Sequence, residues 1–213
     1  MGRKKEQNEK IREERKAQIL QEALLLFSSK GLSATKIQDI AEAVGMAQGL
    51  IYHYFPSKEA IYLELIDRAL DKLQQATQSL HNTTCSAKEK ITLSIEKILG
   101  TIAESEAFTQ TCRLIAQATN SSAIPEKAKQ WIEEKRDIPY QEMAKIFAQG
   151  QEEGTIIPAD PYQLAVLFWT SLNGLAIFQA TRQEKRALPH ASLLINMFLL
   201  HRIPYGGKNE HKK

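Results

Sequence analysis

The sequence predicts an all-α fold: an N-terminal three-helix helix-turn-helix domain followed by a larger helical domain. Three observations point there. Almost every long segment repeats its apolar residues at helical spacing, and none sustains the alternation of a strand. Polar breaks separate those segments: HNTTCS at 81–86, NSSAIP at 120–125 and GTIIPADP at 154–161. Gly45 interrupts one pattern at the spacing that two crossed helices need.

The elements follow in chain order. The first helix is expected to start between residues 9 and 15, with Ile19, Leu20, Ala23, Leu24 and Phe27 on one face and Gly31 ending it. Thr35 opens the next, with Gln38 three residues on as a capping-box partner. Ile37, Ile40, Ala41 and Val44 lie at i, i+3, i+4 and i+7, an amphipathic stripe. Ala41 is small where a second helix must cross closely, and Gly45 can take the positive φ of the turn. Ile51 and Tyr54 then face inward. Pro56-Ser57 starts another helix over 58–79, and RQEKRALPH at 182–190 separates the last two. The tail after Pro204 reads as unstructured.

Composition narrows the class. A chain of 213 residues with 43% apolar content can bury a real core. A net charge of +3 argues against a wholly basic nucleic-acid coat and still allows a local basic patch. The charged N-terminus leads into no signal core, and no apolar run reads as long enough to span a bilayer, so the chain is expected to be cytoplasmic. Cys85 and Cys112 have no metal-ligand spacing. His53, His81, His190, His201 and His211 are scattered, with no Ser/His/Asp or HExxH pattern. No glycine-rich phosphate loop or internal repeat occurs. Neither an enzyme nor a metal or cofactor is expected.

The outward face of the turn follows by subtraction: Ala47, Gln48, Gly49, Tyr52 and His53. The second helix of a helix-turn-helix enters the major groove. Gln48 can pair with a base edge, adenine most naturally. Gly49 lets the backbone approach. Tyr52 offers a flat face to a thymine methyl and a hydroxyl to a phosphate, and His53 can donate to a phosphate. Lys58 opens a helix where free N–H groups favour an anion, and Thr35 with Lys36 does the same at the earlier helix. Tyr54 and Phe55 read as core aromatics. His53 and Lys58 also fit as ordinary surface residues. Arg3, Lys4 and Lys5 fit either a solvated helix extension or an arm along the duplex.

These residues resemble the tetracycline-repressor (TetR) family of bacterial transcriptional regulators. The resemblance runs over about 12–61. It rests on Ile19-Leu20-x-x-Ala23, Phe27, Gly31, Ile40-Ala41-x-x-x-Gly45, Leu50-Ile51-Tyr52-x-Tyr54-Phe55 and Ser57-Lys58-Glu59. It implies a homodimer with a DNA-binding head at 12–73 and a larger helical ligand-binding and dimerisation domain at 74–213. By position, Thr35, Lys36, Gln48, Gly49, Tyr52, His53 and Lys58 take the family's DNA-contact places. Ala47 departs from the serine or threonine usual there, and losing such a cap costs ~1 kcal/mol. Tyr54 departs too, keeping phenylalanine-like packing but adding a hydroxyl to satisfy.

In the body, 161–181 and 188–200 carry no charge. Two helices with no charged face need cover on both sides. A symmetry mate provides it if they form an antiparallel pair that meets its copy as a four-helix bundle, with Gly174 and Ala176 allowing close approach. A single buried core would hide them as well. Phe108, Cys112, Gln117, Trp131, Tyr140, Phe147, Trp169 and Asn173 have the mixed composition of a pocket for a small apolar or amphipathic effector, and of an ordinary core. Arg113 faces solvent or awaits an anion. The expected mechanism is dimeric binding to a near-palindromic double-stranded operator, released when the ligand tilts the helix that joins head to body. Thiol-based redox sensing at Cys85 or Cys112 is the alternative.

Overall fold

The computed structural model describes residues 2–200 except 121, 122, 183, 185 and 186. Among these residues the chain forms ten helices. They are α1 (Gly2–Lys30), α2 (Ile37–Val44), α3 (Gln48–Ile51), α4 (Lys58–His81), α5 (Ala87–Glu104), α6 (Glu106–Asn120), α7 (Glu126–Lys135), α8 (Ile138–Glu152), α9 (Pro161–Ala180) and α10 (Ala191–Ile195). The expected tail after Pro204 and the side chains of Arg3, Lys4 and Lys5 lie outside the described residues.

Local chemistry sets most of the helix ends. Gly31 and Gly45 follow α1 and α2 at φ 83° and 70°. The Met46 N–H donates to the Ala41 carbonyl at 2.9 Å, wrapping the end of α2 into a tight turn. The Ser57 hydroxyl accepts from the Ala60 N–H at 3.1 Å and starts α4. Asp160 accepts from the Gln163 N–H at 2.9 Å, ahead of Pro161 at the first position of α9.

Two boundaries differ from expectation. The first helix begins at Gly2, so nearly five turns precede Ile19, where the run of buried side chains starts. The second opens at Lys36, whose N–H donates to the Asp39 carboxylate at 3.1 Å. Thr35 and Gln38 do not form the capping box. The Thr35 hydroxyl donates to the Gly31 carbonyl at 2.8 Å, which takes it away from the α2 terminus.

Two buried clusters hold the molecule together. The first contains Ile19, Phe27, Ile40, Ile51, Phe55 and Ile66, together with Leu114 and Ala118 of α6 and Ala128 and Ile132 of α7. The second contains Ile91 and Ile95 of α5, Ile146 and Phe147 of α8, and Leu164, Phe168 and Leu172 of α9. Each fully buried large side chain contributes ~1.5–3 kcal/mol before the opposing conformational entropy is counted. The first cluster therefore ties α6 and α7 to the helix-turn-helix. Lys135 adds an ionic tie from α7 to α4, with Nζ 3.0 Å from Asp67 and 2.7 Å from Asp71.

The C-terminal stretch corrects an expectation. Of 188–200, only Ala191–Ile195 is helical. The Ile157 N–H donates to Phe198 O at 3.0 Å, and the Leu200 N–H donates to Thr155 O at 2.8 Å. These bonds draw 198–200 onto the 155–157 segment, and Phe198 is buried there. The expected helix over 188–200 is thus cut to the five residues of α10, and α8 and α6 are the main helices packed against α9. By length and composition α9 is itself apolar enough to cross a membrane, contrary to the sequence reading. Its Leu164, Phe168, Trp169 and Leu172 are buried in the body, while Leu167 and Phe178 are exposed.

Candidate nucleic-acid interface

The positive φ of Gly45 turns the chain so that α3 crosses α2. Ile51 and Phe55 plug this corner into the first cluster. Tyr54 packs against the same cluster and is half-buried. With that side fixed, Ala47, Gln48, Gly49, Tyr52 and His53 are all exposed. Ala47 starts α3 without a side-chain cap. The helix is four residues long, and a turn carries 52–54.

An open cleft of about 420 Å³ lies between this face and the N-termini of α2 and α4, lined among others by Lys36, Gln48, Tyr52, Ser57 and Lys58. Helix N-termini present unpaired N–H groups and a partial positive charge, so the cleft suits an anion. Lys36 is exposed at its rim. A second cleft of about 400 Å³ lies on the other flank, lined by Asn8, Ile11, Arg12, His53 and Tyr54. Sequence reasoning does not single out Asn8 or Arg12: it allows a solvated helix extension for this run, but the run is mixed in sign and only Arg3, Lys4 and Lys5 stand out from it.

Two expected phosphate contacts have their side-chain donors engaged elsewhere. Thr35 is buried, with its hydroxyl on Gly31 O. The Lys58 ammonium donates to Leu32 O at 2.8 Å, Ser33 O at 3.3 Å and Thr35 O at 2.9 Å. An ammonium has three N–H donors, and all three are used. Lys58 therefore fastens the loop that presents Lys36. Leu50, which enters the sequence reading only as part of the family-like motif, is exposed on α3 and packs in neither cluster.

The expected pocket set divides. Phe108, Cys112 and Tyr140 pack against the second cluster, where Phe147 and Trp169 are buried. The Trp169 indole N–H donates to Pro139 O at 3.1 Å. Gln117 and Trp131 face the other way: Gln117 Nε2 donates to Ser28 O at 3.0 Å, and Trp131 joins the first cluster with Lys127 over its ring. Asn173 is exposed on α9. Arg113 is half-buried, with Nη1 3.5 Å from Ala180 O. The nearby Gln110 Oε1 is a buried acceptor without a partner among the described residues. Burial pushes the Cys112 thiol up to about 11 and keeps it protonated, which weighs against thiol chemistry there.

A small helix held by a glycine turn, its polar face outward beside two helix N-termini, defines a helix-turn-helix DNA-binding regulator. The family model "Bacterial regulatory proteins, tetR family" matches residues 19–65, which makes the helix-turn-helix head one of that family's type. The HTH-type transcriptional regulator YfiR of Bacillus subtilis is 25% identical over 168 residues, covering 76% of this chain and 78% of that protein. The HTH-type transcriptional repressor KstR2 of Mycolicibacterium smegmatis is 38% identical over 78 residues, covering 37% of this chain and 38% of that protein. The structure of the ketosteroid transcriptional regulator KstR2 of Mycobacterium tuberculosis shares the fold, with a TM-score of 0.69, 21% identity, and coverage of 88% of this chain and 96% of that one.

Proposed function

We propose that this chain is a cytoplasmic, homodimeric transcriptional repressor that grips a near-palindromic operator and releases it when a small apolar or amphipathic molecule enters the body. The head at 12–73 does the gripping and the body at 74–213 does the sensing. The carrying observation is the exposed set Gln48, Gly49, Tyr52 and His53 beside the cleft between the α2 and α4 N-termini. In this reading Gln48 pairs with a base edge, Gly49 admits the backbone, and Tyr52 and His53 meet the groove wall. Lys36 and the backbone N–H groups at the α2 terminus hold a phosphate, and the buried Thr35 and tethered Lys58 shape that loop. A relative named as a repressor supports the repressor sense.

For sensing, the reading favours the α6–α8–α9 side of the body, where Phe108, Cys112, Tyr140, Phe147 and Trp169 gather. The buried, unpartnered Gln110 Oε1 gives that region an acceptor. Helix α6 reaches from there to the head, since its Leu114 and Ala118 belong to the first cluster. A ligand that displaces α6 would shift the head through this packing. Half-sites must match a spacing of ~34–36 Å, and a coupling of ~1–3 kcal/mol is enough for release.

The test is selection from a random duplex library with the purified chain. Enriched duplexes should carry two symmetric half-sites about one helical turn apart, bound with steep salt dependence. Failure to enrich any sequence would overturn the reading.

A further inference from the structure

Leu50 is 49% exposed on the face of α3 assigned above to DNA. It contributes to neither buried cluster, so the fold gives no account of its size. The residues around it sharpen the point. At 100° per residue, Ile51 fixes the inward direction, and Gly49 then lies nearly opposite it. Gln48 and Leu50 flank that glycine on opposite sides. Tyr52, four residues after Gln48, shares its side, and both line the cleft beside Lys36. His53, three residues after Leu50, shares the other side and lines the cleft beside Arg12.

The reading face is therefore divided. One half offers an amide and a phenol. The other offers a branched aliphatic group next to an imidazole, with no side chain on Gly49 to hold the groove floor away. In the major groove the base edges are polar apart from one large apolar feature, the C5-methyl of thymine. A half-exposed leucine at that surface gains little against any other base and gains buried apolar area against this one.

We propose that Leu50 is a specificity-determining residue that reads the methyl group of one thymine in each half-site. This rests on the DNA-reading face above and names one of its contacts. Leu50 thus complements Gln48, which reads by hydrogen bonds. A change at Leu50 should redirect sequence choice while leaving the salt dependence alone, because no phosphate contact is involved.

The experiment uses the full chain and a duplex enriched from the random library. Each thymine of a half-site is replaced singly by deoxyuridine, which removes the methyl and keeps the base pairing. At one position the replacement should weaken wild-type binding ~3- to 10-fold, the range expected for losing one buried methyl. Leu50→Ala should bind the unmodified duplex more weakly by a similar factor and be indifferent to that same replacement. Leu50→Met should stay sensitive. Thermal melting of the variants checks that the fold is kept, as expected for an exposed side chain. If no replacement affects the wild type, or if Leu50→Ala keeps the full sensitivity, the inference is overturned while the DNA-reading face stands. If no duplex is enriched at all, the DNA-reading face itself fails and takes this contact with it.

Discussion

The side-chain amide of Gln117 donates to the backbone carbonyl of Ser28 at 3.0 Å, across 89 positions of sequence. Ser28 lies in the last turn of α1, where carbonyls have no partner inside their own helix. Gln117 thus caps a head helix with a body residue. Gln117→Leu should lower stability by ~1 kcal/mol in urea denaturation, because the carbonyl loses its donor in a half-buried setting. A variant as stable as the wild type would mean that the contact adds nothing.

Residues at fixed local spacing are the legible ones. Ile37, Ile40, Ala41, Gly45 and Ile51 declare the helix-turn-helix, because a stripe and a glycine are properties of a dozen consecutive residues. The loop tether of Lys58 is not legible because its three carbonyl partners lie 23 to 26 positions away, and a helix-start lysine looks the same with or without them. Thr35 reads as a cap on composition, but Gly31 O competes for its hydroxyl. The 188–200 segment is apolar without period, so only the 155–157 segment decides where its helix stops. Gln117 and Trp131 have pocket-like chemistry, and periodicity does not say which neighbour their helix face meets.

Lys58 and Lys36 should separate in their response to salt. Lys58 has its donors committed to Leu32, Ser33 and Thr35. Lys58→Met should cost ~1–3 kcal/mol of stability, as charge-assisted bonds do, and leave the slope of log affinity against log salt nearly unchanged. Lys36→Ala should reduce that slope by ~1 for each phosphate that the lysine neutralises, with little change in melting. Fluorescence anisotropy across a salt series reads both. The opposite pairing would return Lys58 to the phosphate.

Cys112 makes a prediction about alkaline pH. Burial raises its thiol from an ordinary 9.0 to about 11. Between those values the unfolded chain sheds the proton first, so it binds fewer protons and stability falls as pH rises. The contribution is complete below pH 9 and lost through pH 11. It amounts to ~3 kcal/mol in all, at ~1.4 kcal/mol for each pH unit between the two values, of which ~2 kcal/mol is lost by about pH 11. Tyr62, raised by burial from an ordinary 10.0 to about 12, adds its own loss from pH 10 upward, in both the wild type and the cysteine variant. Comparing Cys112→Ala with the wild type at about pH 8 and about pH 11 isolates the cysteine: the wild type should lose ~2 kcal/mol more. Near neutral pH, iodoacetamide should label Cys112 far more slowly once the native fold is present. Oxidant-driven release of DNA that disappears in Cys112→Ser would restore thiol sensing.

The outer face of α9 tests the dimer. Leu167 and Phe178 are 39% and 40% exposed, and Thr170 and Gly174 lie between them, also exposed. The stripe has no charged residue, although the opposite face already fills the body core with Leu164, Phe168 and Leu172. A monomer gains nothing from leaving such a stripe in water, whereas a copy related by two-fold symmetry covers both stripes at once. Replacing Leu167 and Phe178 together by glutamate puts like charges face to face at the centre of that contact. Sedimentation should then report monomers with unchanged helical content. Affinity for a duplex with two half-sites should fall by at least ~10-fold, while affinity for a single half-site holds, because only the linkage between the two heads disappears. A variant that remains dimeric and binds the full duplex as before would move the interface off α9.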